Sequence, residues 1–174
     1  MHNSLFVASQ SSNIFVTLGA LDKLKETVQN IKTWNVCGNA SLILFLKILG
    51  YTYEQMMHML FELKNITNMI NSSSLLFQKI NENKLFQINV TLKEVYQHTN
   101  ILPSYILWSR NKSKIINLNA LKHPDITLVD ATLASLTALG FYGQYRIKNT
   151  IFTNIFSIDC YPYLYALLQE GSDY

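Results

Sequence analysis

Residues 33–50 read TWNVCGNASLILFLKILG, and this stretch decides the fold. TWNV is a short β-like run of aromatic and branched residues. The turn that follows is made of small polar residues, and SLILFLKIL is a helix that is apolar nearly all round. Such a helix belongs in the middle of a layered fold rather than on a surface. Gly50 stands where a C-cap is needed. A strand that turns sharply into a buried helix is the layout of a nucleophile elbow, which lifts one side chain to the helix N-terminus. The apex position is Gly38, which has no side chain to lift. The stretch therefore reads as a catalytic scaffold whose catalytic atom is missing.

Working outward, strands alternate with helices. Residues 5–8 (LFVA) form a short buried strand, and 9–13 form a polar loop. Ile14, Leu18, Leu21, Leu24, Val28 and Ile31 fall at helical spacing, which predicts one amphipathic helix over 14–31. A strand over 33–36 and a helix over 39–49 make the elbow. A further helix starts at Thr52, with Met56, Met59, Leu60 and Leu63 as a core-facing stripe. Ser72, Ser73 and Ser74 can cap a helix running to Ile80. Thr91 and Glu94 form a T-x-x-E capping box ahead of a helix ending near Thr99. Strands over 104–109 and 114–118 flank the polar turn 110–113. A helix over 128–139 ends at Gly140, a strand pair at 145–147 and 151–153 follows, and 163–168 is a short terminal helix. This alternation argues for an α/β layered fold.

Composition narrows the function classes. The 174 residues suit a single domain, 1–174. With 49% hydrophobic and only 14% charged residues, the chain is globular and has a dry surface. The net charge of +3 comes from Lys and Arg spread along the sequence, so a nucleic-acid surface has no electrostatic footprint. The longest apolar run, 42–49, contains Lys47 and is far shorter than the ~20 residues of a membrane span. No export signal is read at the N-terminus, which places the protein inside the cell, in the cytoplasm or in a virus particle. The surplus of Asn, Ile, Lys and Tyr points to an AT-rich genome such as that of a large DNA virus or a parasite. Cys37 and Cys160 are then two reduced thiols rather than a disulfide. His2, His58, His98 and His123 are scattered, so no metal site is expected. Neither G-x-x-x-x-G-K-[ST] nor G-x-G-x-x-G occurs, so no cofactor is expected.

In order and spacing the chain resembles a patatin-like phospholipase domain over nearly its whole length. Gly19-Ala20-Leu21 matches the family's first helix, and Val36-Cys37-Gly38-Asn39-Ala40-Ser41-Leu42 lies on its elbow. Leu49-Gly50-Tyr51-Thr52 matches the phrase that follows. Asp130-Ala131 with Ala134-Ser135 matches the late helix, and Asn154 falls eight residues before Pro162, where the family has its catalytic Asp. The resemblance implies a three-layer fold with a mostly parallel central sheet flanked by helices. It also implies that the matching chemical positions have changed. Gly38 replaces the Ser nucleophile and Asn154 the Asp, while Ser9-Gln10-Ser11 replaces the glycine loop that aims amides at the oxyanion. Val36 and Ala40 replace the elbow's outer glycines, and Leu139 a proline.

Losing the attacking oxygen removes the covalent step, and Asn cannot take a proton as a carboxylate does. The expectation is a pseudoenzyme working as a structural or interaction component with protein partners or in a larger assembly. The Tyr-rich run Tyr161-Pro162-Tyr163-Leu164-Tyr165 is its candidate contact surface. A variant of this reading keeps the pocket for lipid or fatty-acyl contact without hydrolysis. The alternative is a lipid acyl hydrolase with displaced residues such as Cys37 and Asp159. Against it, a side chain just before an elbow apex normally points into the core. Ser41 reads as a hydroxyl inside the first helical turn.

Overall fold

In the computed structural model, described over residues 3–9, 13–63, 69–83, 85–137 and 145–155, β1 (Ser4–Ser9) and β2 (Thr33–Gly38) pair in parallel along their full lengths. Between them run α1 (Asn13–Lys23) and α2 (Lys25–Val28). Both strands extend beyond the sequence reading, β1 through Ser9 and β2 through Gly38, because pairing continues to Ser9 opposite Gly38. Ser9 is thus a strand residue rather than the first loop residue, and Asn13 already belongs to α1. The single helix expected over 14–31 is broken at Leu24 (φ −97°, ψ 12°). The break frees the chain to return to the sheet, where Lys32 and Thr33 donate backbone hydrogen bonds to the Asn3 carbonyl. It leaves Leu24 53% exposed, although its spacing placed it on the buried face.

After β2 come α3 (Ala40–Ile48), α4 (Tyr53–Leu63), α5 (Met69–Asn83) and α6 (Leu92–Thr99). Gly50 takes φ +83° just past α3, where Gly50 N–H donates to Lys47 O and Tyr51 N–H to Leu46 O. This is the glycine-terminated helix end that the sequence predicts. The Thr91–Glu94 capping box forms as expected at the start of α6. Ser72, Ser73 and Ser74 do not cap α5, which begins three residues earlier at Met69.

Strands β3 (Leu102–Ser109) and β4 (Lys114–Asn119) flank the predicted turn, and α7 spans Leu128–Leu136. β5 (Tyr145–Ile147) and β6 (Thr150–Asn154) complete a sheet that has six strands among the described residues. α7 ends short of the predicted residue 139 because Thr137 is extended and its carbonyl is taken up by β6. The predicted end at Leu139 and Gly140 and the terminal helix over 163–168 lie outside the described residues.

The sheet is mixed. β1, β2 and β3 are parallel, as expected, whereas β4 and β6 join β3 antiparallel and β5 joins β6 antiparallel. One face carries Val7, Trp34, Val36, Tyr105, Leu107 and Phe152. These pack with Leu18, Ile43, Leu44, Met56, Leu76, Val95 and Leu133 into one continuous core. Each such side chain stabilises by about 1.5–3 kcal/mol relative to exposure. Every described helix except the short α2 supplies one of these residues, and α2 adds Val28. The other face carries a smaller cluster of Cys37, Ile106 and Ile155 beside Phe6, Ala8 and Ile115. It also carries a buried polar ladder, in which Asn35 Nδ2 donates to Ser4 Oγ (2.9 Å) and Ser104 Oγ donates to Asn35 Oδ1 (2.6 Å). Among the described residues, all helices therefore lie on one face of the sheet. No described helix is long and apolar enough to cross a membrane.

Candidate functional site

Gly38 is the last residue of β2, and α3 opens two residues later. Its φ of 63° lies in the left-handed region that side chains other than glycine enter at a cost, so the strand-to-helix turn is sharp. The turn is held from three sides. Asn39 N–H donates to Ser9 O at 2.8 Å. Ser41 Oγ (2.8 Å) and Ser135 Oγ (3.3 Å) both donate to the Gly38 carbonyl. Ser41 is therefore engaged inside the first helical turn. The N-terminus of α3 carries a positive partial charge, and no acidic residue of its first turn offsets it.

The register places Asn154 beside this apex. β4 occupies one edge of β3 from Ser104 to Ser109, so β2 and β6 must share the other. β2 holds that edge as far as Tyr105, opposite Val36. β6 takes it over at Leu107, opposite Asn154. Asn154 thus sits two residues beyond Val36, ~6.6 Å along β3, at the height Gly38 reaches on β2. One helix end fastens both positions: Ser135 binds the Gly38 carbonyl, and the Thr137 carbonyl accepts the Asn154 N–H at 2.7 Å. Asn154 is buried, at 7% exposure. Ser9, paired with Gly38, is also buried, and its Oγ has no hydrogen-bond partner. Gly38, Asn154 and Ser9 therefore converge where β2 peels away from β3. Gln10 and Ser11 lie outside the described residues.

Cys37 goes elsewhere. Its side chain is fully buried in the small cluster with Ile106 and Ile155. Burial pushes its thiol from 9.0 up to about 12, so it supplies almost no thiolate at neutral pH. Asp159, Cys160 and the run Tyr161–Tyr165 lie outside the described residues. Because folding favours the protonated Cys37 thiol, the stability it contributes is whole below pH 9 and is lost as the pH rises toward 12. At full extent that difference is about 4 kcal/mol. Cys37→Ala is expected to make the fall in unfolding free energy between pH 9 and 12 shallower; equal slopes in denaturant titrations would refute the assignment.

Asp130 and Ser135, singled out by the sequence, have different tasks. Thr127 caps α7 by accepting the Asp130 N–H (3.0 Å) and donates to Asp130 Oδ2 (2.8 Å). Asp130 Oδ1 accepts from the Tyr145 hydroxyl at 2.6 Å, and burial raises the Tyr145 pKa. Asp130 is thus a tether for β5, while Ser135 touches the apex itself. Thr137 had no sequence signal, since its part in the site depends on where the chain goes after α7. Two cavities lie away from this site. One is a groove of about 630 Å³ between α1 and α4, and the other is lined by Phe86, Val90, Glu94 and His98.

No family model and no curated protein matches the chain. Solved structures do. VipD from Legionella pneumophila superposes with a TM-score of 0.61 at 8% identity over 87% of this chain and 45% of its own. The type III effector protein ExoU superposes with a TM-score of 0.54 at 12% identity over 78% of this chain and 40% of its own. The chain thus spans less than half the length of either neighbour, and the likeness shows a patatin-like α/β fold.

Proposed function

We propose that this chain is a single patatin-like domain over 1–174 that has lost hydrolysis and works as a structural or protein-interaction component. The observation that supports this reading is the register that sets Asn154, opposite Leu107, at the height of Gly38 on the strand-to-helix apex. The resemblance puts an attacking hydroxyl and a carboxylate at these two places. This sequence has a hydrogen atom and an amide there, so neither bond formation nor proton acceptance has an agent. The dry, aromatic-rich composition suits protein contacts in an intracellular or virus-particle assembly. The second reading, a hydrolase using Cys37 and Asp159, is disfavoured by the burial of the Cys37 thiol on the far face of the sheet.

An ester assay separates the two readings. The purified chain, given a short-chain p-nitrophenyl ester and phosphatidylcholine, is expected to show turnover no faster than a buffer blank. Turnover abolished by Cys37→Ala would replace the pseudoenzyme with the displaced-residue hydrolase. Isolating the native complex would then identify the partner.

A further inference from the structure

We propose that α1 and α4 form the contact face of a symmetric dimer of this chain. Phe61 on α4 is 57% exposed and stacks on Phe15 of α1 with ring centroids 4.7 Å apart. An exposed aromatic pair at an open apolar groove marks an interaction surface rather than ordinary solvated surface. Farther along the groove, Met57 lines it from α4 and Gly19 from α1. A side chain at Gly19 would meet nothing within 4 Å, so α1 carries a notch there.

The charged lining identifies the occupant. Asp22 and Glu54 are acidic and Lys25 is basic, so a partner of one sign is matched at only part of the rim. Lys25 stands 4.0 Å from Asp22 with side chains 65% and 49% exposed, a loose pair that is readily exchanged for another. A second copy supplies both signs at once. α1 and α4 run antiparallel, since Phe15 meets Phe61 at one end of the groove and the Asp22 carboxylate acts on the Tyr53 hydroxyl at the other. A two-fold axis along the groove therefore lays α1 of each copy on α4 of the other, with matching heights opposite each other. Lys25 then faces Glu54 of the other copy, the Gly19 notch faces Met57, and Phe15 faces Phe61. Symmetry makes each of these contacts twice. The two helices have 11 residues each, ~16 Å, so the face is small and the association is a weak, micromolar one. The inference gives the interaction role proposed above a partner. None of its residues belongs to the Gly38–Asn154 site, so the ester assay and a mass measurement fail independently.

The test is sedimentation equilibrium of the full chain at low salt, from about 5 to about 500 µM. The mass is expected to rise from the 20.0 kDa of one chain toward twice that value. Lys25→Glu and Glu54→Lys should each weaken the dimer roughly tenfold, because each sets like charges face to face twice. Mixed in equal amounts, the two variants should associate as well as the unmodified chain, since each then offers the charge that the other lacks. Gly19→Leu projects into open space and so leaves thermal unfolding intact, but it fills the notch and should leave the chain monomeric. An unmodified chain that stays at 20.0 kDa throughout overturns the proposal and leaves this face to a different partner. So does a dimer whose affinity folded Gly19→Leu leaves unchanged, or a mixture of the two charge variants that associates no better than either alone.

Discussion

The double variant Gly38→Ser/Asn154→Asp is expected to remain within roughly 10²-fold of the uncatalysed rate on esters, although it restores a hydroxyl and a carboxylate at neighbouring positions. Three physical terms stand against it. The introduced hydroxymethyl group would sit on backbone at φ 63°, which costs ~1–2 kcal/mol in folding free energy. The developing oxyanion would still face Ser9, a strand residue with a side chain, in place of the family's glycine loop. Each missing oxyanion donor costs roughly 10²–10³ in turnover. Rebuilding residues 9–11 as glycines on the double variant should therefore raise kcat by at least ~10²-fold, with little change in KM. Steady-state kinetics on a soluble ester decide the matter. Rates above ~10⁵ times background in the double variant alone would mean that the first loop is already competent and that the reading of Ser9-Gln10-Ser11 is wrong.

The largest stability effect should come from Trp34→Ala, at about 3–5 kcal/mol lost in the free energy of unfolding. Trp34 is fully buried on β2, donates its indole N–H to the Ile31 carbonyl at 3.2 Å, and is the platform on which the Lys47 ammonium rests. Its removal opens a cavity between the sheet and α3 and takes away a neighbour of a half-buried cation. Against a domain stability of ~5–15 kcal/mol, this is a large fraction of the whole. Chemical denaturation at neutral pH would measure it, and a loss below ~1 kcal/mol would show that the sheet face is not the main core.

Local sequence carried a good deal of this. The TWNVCGNASLILFLKILG stretch determined a strand, a tight turn and a buried helix, because each of those states depends on contacts a few residues apart: a glycine able to take φ 63°, an unbroken apolar run, and a second glycine closing α3. The Thr91–Glu94 box and the strand–turn–strand around residues 110–113 were legible for the same reason. Long-range pairing overrode it elsewhere. The helix expected over 14–31 broke at Leu24 because the chain had to reach Asn3 and start β2, a demand that periodicity cannot express. Ser9 became a strand residue only because Gly38 lies opposite it. The relation between Gly38 and Asn154, far apart in sequence, was decided by the sharing of one edge of β3 between β2 and β6. Thr137 entered the site through that same junction. Residue identity alone determined that the apex has no side chain and that its neighbour is an amide. Tertiary structure alone decided that the two stand together, because hydrogen-bonded strand edges, not sequence spacing, set which distant residues meet.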